Sequence, residues 1–110
     1  MRYALLVCYD ENAVTGTDPA RAAGFNALFR QLGDRLQVST RLRPTSTATT
    51  VRVRNGGVVI ADGPFAETKE QIAGVLVVDC ADRSEAIKVA AQVPAAHYGT
   101  IEVRTVWESS

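Results

Sequence analysis

Apolar positions along the chain fall into two periods, and the order in which they alternate outlines a fold. Arg2 to Tyr9 is rich in Leu, Val and Tyr and stops at Asp10-Glu11-Asn12, the signature of a strand. Asp18-Pro19 then opens a helix, with Asp18 as N-cap and Pro19 at the first helical position. Ala22, Phe25, Phe29 and Leu32 follow at helical spacing, and Gly33-Asp34 ends the run. From Leu36 to Leu42 the period changes to two. Leu36, Val38, Thr40 and Leu42 fall on one face of a strand, with Arg35, Gln37, Ser39 and Arg41 on the other.

Pro44 and the Ser/Thr cluster through Thr50 mark a loop. Thr50 to Arg54 and Gly57 to Ala61 flank Asn55-Gly56, a strong two-residue hairpin signal. Ile72 to Cys80 is apolar almost throughout, as in a central strand covered on both faces. Asp82-Arg83-Ser84-Glu85 has the form of a capping box, and Ala86, Val89, Ala90 and Val93 make the inner face of a second helix that Pro94 ends. Gly99 to Trp107 closes the chain as a strand with Ile101, Val103, Thr105 and Trp107 on one face and Glu102, Arg104 and Val106 on the other. Strand, helix, strand, inserted hairpin, strand, helix, strand is an α+β, ferredoxin-like split β-α-β order. Two helices cover only one face of such a sheet, so a second copy of the chain is expected on the other, giving a homodimer with facing sheets.

With 110 residues, the chain is expected to be a single domain spanning 1–110 with one core. Twelve basic and twelve acidic residues cancel, which argues against nucleic acid and membrane surfaces as partners. No apolar run approaches the roughly 20 residues of a membrane span, and the first strand is too short for a signal h-region; a cytoplasmic setting is the expectation. Cys8 and Cys80 lack metal or redox spacing and read as free thiols buried in strands. No metal or cofactor motif is evident, and no nucleophile elbow.

Between the hairpin and the central strand lies Asp62-Gly63-Pro64-Phe65-Ala66-Glu67-Thr68-Lys69-Glu70-Gln71, a turn signal crowded with charge. Asp62 suits a tight turn before Gly63, and it equally suits a functional carboxylate at a strand end. Phe65 reads as a plug in the core beneath the loop rather than as a group that stacks on substrate, and Glu67 to Gln71 as a helical turn. Glu67, Lys69 and Glu70 form either a solvated polar turn or a group that holds a polar ligand. His97 is the sole histidine, either a surface residue or the group on which near-neutral acid–base chemistry falls. Asp62 and His97 are accordingly the candidate acid–base pair. Glu67, Lys69, Glu70, Arg52 and Arg104 are the candidate ligand contacts, since arginines on strands can hold an anion bidentately.

The run Asp62 to Glu70 resembles the defining motif of the DGPF (DGPFAETKE) family, a branch of the YCII-related proteins. Ser46-Thr47-Ala48-Thr49-Thr50-Val51-Arg52 and Pro94 to Arg104 resemble further strands of that family, so the likeness spans nearly the whole chain. The resemblance implies a dimeric α+β barrel of ferredoxin-like subunits. Some wider YCII relatives are thought to pair an aspartate with a histidine on the first helix for acid–base chemistry, and one branch is associated with dehydrohalogenation of a chlorinated aromatic. Pro19 to Leu32 contains no histidine, so that dyad does not carry over. The family's association with alternative sigma factors implies an accessory or regulatory role as the alternative to a small cytoplasmic dimer that binds a polar or anionic organic molecule, with or without lyase-like activity.

Overall fold

A computed structural model describes residues 1–14 and 18–108. Among these residues six strands and two helices follow in the expected order: β1 (Arg2–Tyr9), α1 (Pro19–Leu32), β2 (Leu36–Arg41), β3 (Thr49–Arg54), β4 (Gly57–Asp62), β5 (Gln71–Asp79), α2 (Arg83–Gln92) and β6 (Thr100–Thr105). Strands β2-β5-β1-β6 form one sheet in which every neighbouring pair is antiparallel, and β3 pairs with β4 alone. This is an α+β fold of the ferredoxin-like kind, with the hairpin inserted between β2 and β5.

Both helix starts form as their caps dictate. The Asp18 carboxylate accepts from the Ala20 N–H at 2.9 Å, and Asp82 accepts from the Glu85 N–H at 2.9 Å. Glu85 does not complete the box; its carboxylate pairs with the Arg35 guanidinium, tying α2 to the turn before β2. Ala86, Val89, Ala90 and Val93 are all buried. On α1 the buried residues are Leu28 and Leu32, while Phe25 and Phe29 pack at the core's margin and Ala22 is exposed. The inner face is thus rotated from the expected stripe, because the bulky phenylalanines sit beside the line of closest approach.

The core lies between the helices and one face of the sheet: Tyr3, Leu5 and Val7 from β1, Leu76 and Val78 from β5, with Leu5, Val78 and Val93 fully enclosed. The opposite face carries Ala4, Leu6 and Cys8 beside Val75 and Val77, half-buried in a single chain. Cys80 is buried as expected, whereas Cys8 is only partly so because it sits on this open face. Trp107 lies beyond the end of β6 and is 92% exposed.

A register shift in β2 has the largest consequence for the site. Leu36 pairs with Val78 but Val38 pairs with Val77, so one extra residue, Gln37, interrupts the alternation. Directly opposed residues share a face. Leu36 therefore faces the helices while Val38 and Thr40 face the open side, and Ser39 and Arg41 turn toward the helices. The single-face grouping of Leu36, Val38 and Thr40 read from the alternation is corrected by this bulge.

The hairpin forms at Asn55-Gly56, with φ of 50° and 76°, the doubly positive backbone of the favoured two-residue turn. It leaves the body of the domain: every residue of β4 is exposed. The radius of gyration of 15.8 Å exceeds the roughly 13 Å of a compact chain this long. Val51, Val53, Val58 and Ile60 line one side of the ribbon and are 60–65% exposed.

Candidate functional site

Space remains where α1 passes over the β2–β5 half of the sheet. Small residues, Ala73 and Gly74 on β5 and Ser39 on β2, face Ala22 and Asn26 on α1, and no large side chain fills the gap. A cleft of about 300 Å³ results. Phe25 and Phe29 of α1 with Val7 and Leu76 of the sheet give it apolar walls, and Val14 closes one side. Gly74 is required here by close approach: a Cβ would stand 2.8 Å from the Thr40 carbonyl oxygen of β2.

Polar groups converge at the mouth. The Arg21 guanidinium lies 5.2 Å from the centre of the Tyr98 ring and pairs with Asp18 at 3.3 Å. Tyr98 in turn meets Tyr9 at 5.8 Å in a tilted arrangement. The Asp18 carboxyl is held below its ordinary pKa, first by the Ala20 N–H and then by Arg21, so it stays ionised and is a weak base. Arg41, delivered by the bulge, lines the cleft and has no ion-pair partner among the described residues.

An adjoining groove of about 630 Å³ shares Tyr9, Val14, Arg41 and Ala73 with the cleft and runs to Gly63 and Pro64 of the charged segment. Its rim is fastened by Glu11, whose carboxylate accepts from the Thr45 N–H at 2.8 Å and the Thr45 hydroxyl at 2.6 Å. Gly63 adopts φ of 97°, donates its N–H to the Ala48 carbonyl and accepts from the Thr50 hydroxyl, so the start of the segment is pinned to the start of β3.

Of the residues singled out in the sequence, Asp62 ends β4 and is exposed, and His97 is exposed at the end of a 3-10 turn, Pro94–His97. Neither lines the cleft or the groove. Glu67 and Lys69 are exposed in the loop, and Glu70 accepts from the Thr100 hydroxyl at 2.7 Å. Arg104 pairs with Glu102 at 3.1 Å on the exposed side of β6. Arg52 lies over the Phe65 ring at 5.3 Å. Phe65 is 80% exposed, not a core plug, because the loop stands away from the helix-covered face. No helical turn forms over Glu67 to Gln71; the Gln71 side-chain amide donates to the Ala66 and Thr68 carbonyls and holds the loop in bends instead. Among the described residues no group of three or more His, Cys, Asp or Glu side chains could hold a metal. No helix there is long and apolar enough to cross a membrane.

Arg21, Arg41 and Tyr98 escaped the sequence reading. Arg21, one turn into a helix behind its N-cap, was the legible one; Arg41 depended on the bulge.

Fold and cleft together define a ferredoxin-like α+β chain with an apolar recess beneath its first helix and arginines at the recess mouth. The whole chain, residues 1–110, matches the YCII-related domain, and it belongs to that family. It is also similar to an uncharacterised protein of Rhizobium meliloti (strain 1021), 37% identical over 113 residues that cover 94% of this chain and 90% of that one.

Proposed function

We propose that this YCII-related chain, of the DGPF branch, binds a small polar or anionic organic molecule in the cleft beneath α1 and works as a homodimer. The observation that carries the binding reading is the cleft itself: an unfilled, largely apolar recess with a few convergent polar groups is the usual form of a small-molecule site. Its ionisable lining favours binding over proton transfer. Asp18 is a weak base, and Asp62 and His97 stand outside the walls, so acid–base chemistry by that pair would require the partner copy to bring them to the ligand.

Homodimerisation is supported by the half-buried open face of the sheet and by the exposed valines and isoleucine of the hairpin. Exposed apolar surface of this kind marks interaction sites.

A thermal-shift screen of a metabolite library tests the ligand reading when run beside Ala22→Trp, which plugs the cleft mouth from an exposed helix position. Compounds that stabilise the wild type and lose their effect in the plugged variant support it. Equal stabilisation of both proteins, or none, overturns it.

A further inference from the structure

The charges around the cleft do more than favour anions in general. We infer that it selects a monocarboxylate with an apolar body of on the order of ten non-hydrogen atoms, its carboxylate held by Arg41; this rests on the ligand cleft proposed above.

Size comes first. A recess of about 300 Å³ stands at the lower limit of ligand pockets and holds on the order of ten water-sized volumes. The walls then set the character of the body. Phe25, Phe29, Val7 and Leu76 offer no hydrogen bonds, so a polar body entering there would lose its hydration without replacement.

The charge count sets the head group. Asp18 and Arg21 neutralise one another, and Arg21 is further occupied by the Tyr98 ring. Within the cleft lining one positive charge, on Arg41, is left over; the Glu11 carboxylate of the adjoining groove is taken up by the Thr45 N–H and hydroxyl. A single excess charge matches a monoanion, whereas a phosphate dianion would meet one free arginine with the Asp18 carboxylate facing the same space. The planar fork of an arginine matches a carboxylate in a bidentate manner, which an amide of the same shape cannot reproduce. Because Arg41 sits at the junction of cleft and groove, the carboxylate would lie at the mouth with the body inward. The body then supplies affinity and Arg41 supplies the choice among head groups.

Phenylacetate, phenylacetamide and phenyl phosphate test this by NMR titration, with the Phe25, Phe29 and Tyr98 ring signals reporting the cleft. Phenylacetate is expected to bind at least tenfold more tightly than either of the others. In Arg41→Gln that preference should vanish, with acid and amide binding alike, while signals remote from β2 stay in place and so certify the fold. Arg41→Lys should retain a reduced preference. Equal binding of acid and amide to the wild type, or an undiminished preference in Arg41→Gln, overturns the carboxylate assignment and leaves the cleft reading standing. If no probe moves the cleft signals, both fall together.

Discussion

Substituting Ile60 by Asp places a charge in the middle of the exposed apolar side of the hairpin, where it should break the proposed homodimer. Val51, Val53, Val58 and Ile60 are 60–65% exposed in one chain. Fully burying such a side chain contributes about 1.5–3 kcal/mol, so covering the exposed part gives about 1–2 kcal/mol for each. Four residues on each of two chains give about 8–16 kcal/mol, against an association cost of about 4–15 kcal/mol. The hairpin alone is therefore near break-even, and in the proposed homodimer the surplus is assigned to the half-buried open face around Leu6, Val75 and Val77. Ile60→Asp forfeits about 1–2 kcal/mol per chain and adds several more for each unpaired buried carboxylate. A total above about 4 kcal/mol raises the dimer Kd by at least a thousandfold. Sedimentation velocity across a micromolar concentration series measures this, with circular dichroism as a check that the chain stays folded; β4 is exposed throughout, so the monomer should be undisturbed. A wild type that sediments as a monomer throughout the series, or an Ile60→Asp dimer of unchanged Kd, rules out the hairpin as the interface.

Further outcomes are expected elsewhere. At Gly99 a Cβ would stand 2.1 Å from the Cys8 carbonyl oxygen and 2.9 Å from the Tyr9 Cβ, so Gly99→Ala should destabilise at or above the top of the about 1–3 kcal/mol range for overpacking, while Gly57→Ala, with 3.6 Å of clearance, should be tolerated; chemical denaturation compares them. Asp18 has a depressed pKa in the folded chain, so its contribution is fully present above the unfolded carboxyl pKa of about 3.9 and is lost as pH falls through the folded value. The gap in Tm between wild type and Asp18→Ala should consequently be open at pH 6 and narrow below about pH 4, and a pH-independent gap would count against the cap. The Cys8 thiol is pushed up, first by burial and then by Glu102 and Glu70, so its alkylation rate should inflect at a higher pH than that of a free thiol; an ordinary inflection would show the thiol to be unperturbed.

What was legible in the sequence were features fixed by local chemistry. Asn55-Gly56 needs two positive φ angles that few other residue pairs supply, and Asp18-Pro19 and Asp82 meet helix N-termini in a way set by adjacent atoms. The order of elements along the chain follows from the period of the apolar residues, because each switch between two and 3.6 marks an element. The cleft was not legible, and the reason is a single residue. Alternation on either side of Gln37 is internally consistent, so nothing local announces the bulge that turns Ser39 and Arg41 toward the helices. The rotation of α1 was hidden for a related reason: helical spacing identifies a stripe, but whether Leu28 or Ala22 sits deepest depends on where the sheet lies. Its density of ionisable groups marks the charged segment in the sequence. In the fold it contributes Gly63 and Pro64 to the groove wall, through backbone and turn geometry rather than through its charges.

A crystal structure of the protein grown with a mixture of small carboxylic and neutral aromatic fragments puts the ligand cleft to the most direct test. Density for an acid between Phe25, Phe29 and Leu76, with its carboxylate on Arg41, is the predicted result. An empty cleft, with fragments bound instead beside Asp62, Lys69 and His97, would contradict it.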